Sequence, residues 1–152
     1  MAGGLEIALA CDLLVAARDA KLGLPEVGVG LVAAAGGLTR LARRIPLSVA
    51  IEMAVTGKPI DGDRAFALGL VNGVTDPGGA LEAALKLART IAANAPLAVD
   101  ASKLAIHASR DWREHEEWDR QHRLLTPVLE SADALEGARA FAEKRSPVWR
   151  GL

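Results

Sequence analysis

Gly3-Gly4-Leu5-Glu6, an apolar run reaching Ala17, and then Gly23-Leu24-Pro25-Glu26-Val27 form the stretch that sets the architecture of the chain. A glycine pair ahead of Ile7-Ala8-Leu9-Ala10 predicts a helix mouth, where backbone amides point outward unpaired and carry partial positive charge. Such a mouth suits an anion. Glu6 falls in the first turn beside those amides, and Pro25 favours an extended backbone at Leu24, so that Glu6 and Glu26 are expected to meet across one cleft. An anion site with two carboxylates beside it is equipment for polarising a carbonyl while protons move. The plain alternative is a glutamate that complements the helix dipole and does nothing more.

Working outward, the 152 residues and 51% hydrophobic content are enough for one ordinary domain with its own core. Lys+Arg (18) nearly balances Asp+Glu (19) and aromatics are 3% of the chain, so neither a field for nucleic acid or anionic membrane nor a base-stacking surface is expected. The single cysteine, Cys11, excludes an internal disulfide and a cysteine metal cluster, and fits a reducing, cytoplasmic setting. Its apolar helical context predicts a buried structural thiol. Glu6 and Asp12 interrupt the first apolar run and Pro25-Glu26 the second, so no signal peptide and no transmembrane helix is expected.

Periodicity predicts helix over residues 5–11, a strand over 13–17 and a second short strand over 21–24. Gly28-Val29-Gly30 begins like a dinucleotide fingerprint, but position 33 is alanine and the motif fails. A basic helix is expected over 37–44, and another after Pro46 with Leu47, Ala50, Ile51, Ala54 and Val55 on one face, stopped by Gly57 and Pro59. Asp61 is the expected N-cap of a helix over 62–68, Gly69 closes it, and 70–74 is a brief strand. After the turn at Asp76-Pro77-Gly78-Gly79 comes an amphipathic helix over 80–93. Beyond Pro96 only helices are predicted: 97–109, a charged one over 111–130 that Pro127 kinks or ends, and a last one opened by Asp133 with Glu136 as a capping box. The expected division is a mixed α/β part, 1–95, and a helical part, 96–152.

Other candidate chemistry is plainer. His115 and His122 stand seven residues apart, not the four of a metalloprotease helix, and Arg113, Arg120 and Arg123 make theirs a solvated face; no metal is expected. Arg40, Arg43 and Arg44 form one basic cluster, and Lys144 with Arg145 beside Phe141 another; a solvated face is the default for both, phosphate binding the alternative. Trp149 needs apolar surface, which a partner chain is expected to supply.

Taken in order, Ala2-Gly3-Gly4-Leu5-Glu6, Ala10-Cys11-Asp12, Pro25-Glu26-Val27-Gly28-Val29-Gly30, Gly36-Gly37-Leu38-Thr39-Arg40, Thr56-Gly57, Gly69-Leu70-Val71-Asn72 and Phe141-Ala142-Glu143-Lys144-Arg145 resemble the enoyl-CoA hydratase branch of the crotonase superfamily. The resemblance implies a ββα spiral with a carboxy-terminal helical region that assembles trimers, often paired as hexamers. It covers the whole chain but only the later part of that fold, the earlier spiral turns being absent. By the resemblance Glu6 and Glu26 are the catalytic pair, and the Gly3 amide is one half of an oxyanion hole whose other amide comes from an upstream segment. Phe141 and Lys144 match positions that, in the family, reach the CoA moiety of a neighbouring subunit. The implied substrate is an acyl-CoA thioester, with coenzyme A part of the substrate and no separate cofactor. The implied reaction adds water to a 2-enoyl-CoA and gives a 3-hydroxyacyl-CoA.

Loss of one oxyanion donor costs roughly 10²- to 10³-fold in turnover, so residues 1–152 alone are expected to be impaired or inactive. The alternatives are a non-catalytic oligomerising fragment and another crotonase-type reaction, enoyl-CoA isomerisation or thioester hydrolysis. The chain departs from the family's glycine-rich turn at Ala33-Ala34-Ala35-Gly36-Gly37, where added methyls bear on the acyl pocket.

Overall fold

Two three-residue strands, Val15–Ala17 (β1) and Gly73–Thr75 (β2), pair in parallel with Val15 opposite Gly73 and Ala17 opposite Thr75. Asn72 extends the ladder, its N–H donating to Leu14 O at 2.7 Å while its side-chain oxygen accepts from Leu14 N–H at 2.9 Å. A parallel pair needs a long crossover, and here the crossover is helical. The computed structural model describes residues 1–152, and its contacts divide them into two compact units, Met1–Lys86 and Leu87–Leu152.

The first unit holds α1 (Gly3–Ala10), a 3₁₀ turn at Glu26–Val29, α2 (Gly37–Ala42), α3 (Leu47–Thr56) and α4 (Gly62–Ala67). Each boundary has a local cause. Asp61 caps α4 by accepting the Arg64 N–H at 2.9 Å, as the sequence predicts. Gly57 ends α3 at φ 66°, a left-handed conformation that glycine adopts without a Cβ penalty. One core joins these pieces: Leu5 and Leu9 of α1, Leu22, Leu24, Leu41 of α2, Ala50 and Met53 of α3, Ile60, Ala65 of α4, Leu70 and Val71. Burial of each large side chain is worth about 1.5–3 kcal/mol, and this core therefore holds α1, α2 and the 20s segment in one place.

Four expectations fail in this unit, in whole or in part. Residues 21–24 form no strand, only an antiparallel bridge between Leu22 and Ile60. The strand expected over 70–74 lies later, at Gly73–Thr75, because Leu70 and Val71 turn into the core. Of the residues expected to share one face of α3, Leu47, Ile51 and Val55 are exposed and Ala50 is buried, together with Met53. Cys11 is also exposed, since α1 ends at Ala10 and its apolar setting stops there.

α5 (Ala80–Ala92) crosses the boundary between the units and buries none of its residues. The second unit continues with α6 (Pro96–Ala108), 3₁₀ turns at Ser109–Asp111 and Glu114–Glu116, α7 (Glu117–Leu129) and α8 (Ala132–Glu143). Pro127 lies inside α7, which continues two residues beyond it to Leu129. The cap of α8 is Ser131, whose oxygen accepts the Ala134 N–H at 3.1 Å, not Asp133. Asp133 is buried and accepts the Arg150 and Gly151 N–H groups at 2.8 and 2.9 Å, folding the tail back on α8. Trp149 thereby finds its surface within its own chain, packed over Gly137 with Nε1 donating to Ala93 O at 2.8 Å. No helix is long and apolar enough to cross a membrane.

Candidate active site

α1 begins at Gly3, two residues earlier than predicted, and its first internal acceptor is Ala2 O, which takes the Leu5 and Glu6 N–H groups at 2.8 and 3.1 Å. The Gly3 and Gly4 N–H groups precede those donors, so they remain at the exposed mouth with no partner of their own. Ala2 sits at φ 52°, ψ −135°, a conformation that L-residues avoid. It is held there from both sides, since Ala2 N–H also donates to Gly23 O at 2.9 Å. That bond ties the mouth of α1 to the segment that runs through Leu24 and Pro25 into Glu26.

Glu6 is buried, and its Oε1 accepts the Gly37 N–H at 2.9 Å. Gly37 is the first residue of α2, and a Cβ there would stand 2.9 Å from Glu6 Oε1 and 3.0 Å from Ala33 Cβ. Only a residue without a side chain lets the carboxylate approach that amide. Glu26 opens the 3₁₀ turn after Pro25, and its carbonyl accepts the Leu31 N–H at 3.0 Å. The turn rests on the end of α3, where a Cβ on Gly57 would come within 3.3 Å of Pro25 Cα. Glu26 Oε2 is buried and has no hydrogen-bond partner. A buried polar atom without a partner costs about 1–3 kcal/mol and calls for a reason.

Gly3, Glu6 and Glu26 therefore all belong to the first unit, on segments joined by the Ala2–Gly23 bond. Phe141 and Lys144 belong to the second, where Phe141 is 88% exposed and Lys144 ends α8 in a left-handed conformation at φ 53°. Arg145 beside them is occupied: it pairs with both carboxylate oxygens of Glu136 at 2.6 and 3.0 Å and with Glu143 at 2.6 Å. With the Val148 N–H, Arg145 holds the Glu136 carboxyl down at about 2. Of the first basic cluster, Arg40 and Arg44 donate to the backbone carbonyls of Ala35 and Cys11. The second unit has a cavity of about 250 Å³ lined by Leu97, Ala98, Val128, Ala134, Ala138 and Trp149. It lacks an available acid or base, because Ser131 and Asp133 at its edge are both engaged.

The sequence did not single out Gly37 as the donor to Glu6, nor Gly57 as the support of Glu26. The available signal was a glycine opening a helix and a glycine closing one, each where a small residue lets another segment approach closely.

The first unit thus holds a helix mouth with outward amides, a buried glutamate in its first turn and a second glutamate with an orphaned oxygen. Residues 1–151 match the enoyl-CoA hydratase/isomerase family, and the chain belongs to it. It is 40% identical over 153 residues to a carnitinyl-CoA dehydratase of Salmonella arizonae, with 98% of this chain and 59% of that protein covered. It is 41% identical over 149 residues to an (E)-benzylidenesuccinyl-CoA hydratase of Thauera aromatica, covering 98% of this chain and 58% of that one. A crystal structure of an enoyl-CoA hydratase from Mycobacterium tuberculosis superposes with a TM-score of 0.97 at 54% identity, over 99% of this chain and 60% of that chain. The fold is thus crotonase-like α/β, mostly helical with two parallel strands, and the chain spans about three fifths of the length of these relatives.

Proposed function

We propose that the chain carries the acid–base pair and one oxyanion donor of an acyl-CoA hydratase that adds water to a 2-enoyl-CoA. The observation that carries this reading is Glu26 Oε2, buried without a partner in the same unit as the Gly37-held Glu6. A water between the two carboxylates gives the orphaned oxygen its missing contact. As the water oxygen bonds to the β-carbon, Glu6 takes its proton and the C=C electrons move toward the thioester oxygen. Glu26 then gives its proton to the α-carbon as the enolate collapses. The Gly3 N–H, unpaired at the positive end of α1, faces the charge that develops on the thioester oxygen.

Two carboxylates favour hydration over isomerisation, which needs one base to move one proton along the acyl chain. Phe141 and Lys144 are proposed to contact the CoA moiety, the exposed ring giving adenine a stacking face and the ammonium a phosphate partner. Residues 96–152 are proposed to assemble trimers. The other oxyanion donor is assigned to no residue of 1–152.

The test is formation of 3-hydroxybutyryl-CoA from crotonyl-CoA by the chain, together with deuterium incorporation at the α-carbon from D₂O, which detects the proton step at low turnover. Glu6→Gln and Glu26→Gln are each expected to lower both signals about 10²- to 10⁴-fold. Survival of either signal in either variant at the level of the unaltered chain defeats the reading.

A further inference from the structure

The basic residue Arg40 is not needed by the reaction scheme, and its guanidinium is not turned to an anion: Nη1 donates to Ala35 O at 2.8 Å. Its backbone N–H donates to the next carbonyl, Gly36 O, at 3.0 Å, and Thr39 Oγ1 donates to the same oxygen at 3.3 Å. The Arg40 side chain therefore holds the Ala35–Gly36 peptide, and its backbone N–H with the Thr39 hydroxyl holds the next one. The second of these contains the Gly37 N–H, and in a trans peptide the C=O and N–H point opposite ways. Anchoring Gly36 O on the Arg40 side thus aims the Gly37 N–H at Glu6 Oε1, 2.9 Å away.

Between the two gripped peptides lies Gly36, at φ 99°, where rotation is least restricted. The guanidinium fills the space that a Cβ at position 36 would take. Without it, the Ala35–Gly36 peptide loses the bond that fixes it against α2, and the Gly36–Gly37 peptide that orients Glu6 is held by the Arg40 N–H and the Thr39 hydroxyl alone. The exposed Arg40 side chain thus closes over the loop that presents the Gly37 N–H.

We infer that Arg40 is a positioning residue for Glu6, acting through the Ala35–Gly37 backbone. The inference rests on the reading of Glu6 as a catalytic base, but its test does not use turnover, so the two fail separately. Amide hydrogen exchange is followed by NMR in the unaltered chain, Arg40→Ala and Arg40→Lys, with the reciprocal Leu22–Ile60 amides, bonded at 2.8 Å, as the monitor of overall stability. Arg40→Ala is expected to accelerate exchange at Gly37 about tenfold while Leu22 and Ile60 keep their rates. Arg40→Lys, or guanidinium ion added at non-denaturing concentration to Arg40→Ala, restores most of the protection. In combination with Glu6→Gln the effects at Gly37 are non-additive, because both substitutions act on one hydrogen bond. Unchanged exchange at Gly37, parallel acceleration at Leu22 and Ile60, failure of both rescues, or strict additivity with Glu6→Gln each overturns the assignment.

Discussion

The Gly37 N–H donates to Glu6 Oε1 at 2.9 Å across a sequence separation of 31 residues, and this bond joins α1 to α2 at the catalytic candidate. Because a Cβ at Gly37 would lie 2.9 Å from that oxygen and 3.0 Å from Ala33 Cβ, Gly37→Ala overpacks a buried contact. It is expected to destabilise the chain by about 1–3 kcal/mol in urea unfolding. Gly4→Ala is the matching control: a Cβ there meets nothing within 4 Å, and alanine in the helix should leave stability unchanged or raise it by up to about 1 kcal/mol. Equal effects of the two substitutions would show that the close approach at Gly37 is not what matters.

Ala2 holds φ 52° and ψ −135°, and such a conformation costs an L-residue of the order of 1–3 kcal/mol. Glycine occupies it without that cost, at an entropic penalty of roughly 0.5–1 kcal/mol. Ala2→Gly is therefore expected to stabilise the chain by about 1 kcal/mol, seen as a higher urea midpoint at unchanged slope. A lower midpoint would contradict the strained backbone.

Glu26 is the clearest conflict between stability and chemistry, with Oε2 buried and unpartnered. Glu26→Met keeps most of the volume and removes the orphaned oxygen, so melting is expected to rise by about 2–4 °C while hydration disappears. A variant that loses hydration and melts lower would mean that the carboxylate supports the fold.

Glu136 gives the helical unit an acid-sensitive clasp. Its carboxyl sits at about 2 against an ordinary 4.5, chiefly through hydrogen bonds from the Arg145 guanidinium and then from the Val148 N–H. The folded value is the lower one, so between 4.5 and about 2 the unfolded chain binds the proton that the folded chain does not. The contribution is full above 4.5 and is lost as pH falls toward about 2. Glu136→Gln should therefore unfold more easily than the unaltered chain near neutrality and match it at about pH 2. A gap between the two that stays constant with pH would sink this account.

Features legible in the sequence were those with a local cause. The Asp61 cap, the Gly57 stop and the mouth at Gly3-Gly4 depend on residues within a turn of one another, and they form where expected. The capping box at Asp133 and Glu136 was a local pattern too, yet it lost to Ser131 because the returning tail competes for both carboxylates. The face shared by Leu47, Ala50, Ile51, Ala54 and Val55 of α3 is buried only at Ala50, since amphipathic spacing shows which residues share a face but not whether that face is covered.

The sequence by itself determined the family, the two glutamates twenty residues apart and the glycine pair that opens α1, because these lie in short blocks whose order and spacing are visible without a fold. Only the tertiary structure decided what holds each glutamate. Glu6 takes its partner from Gly37, Glu26 rests on a turn supported by Gly57, and Ala2 binds Gly23, all across gaps that the chain closes by burying one core. Hydrophobic burial is non-directional, so residue pattern specifies that such segments collapse together. Which amide then meets which carboxylate is set by the backbone angles and close approaches of the packed state.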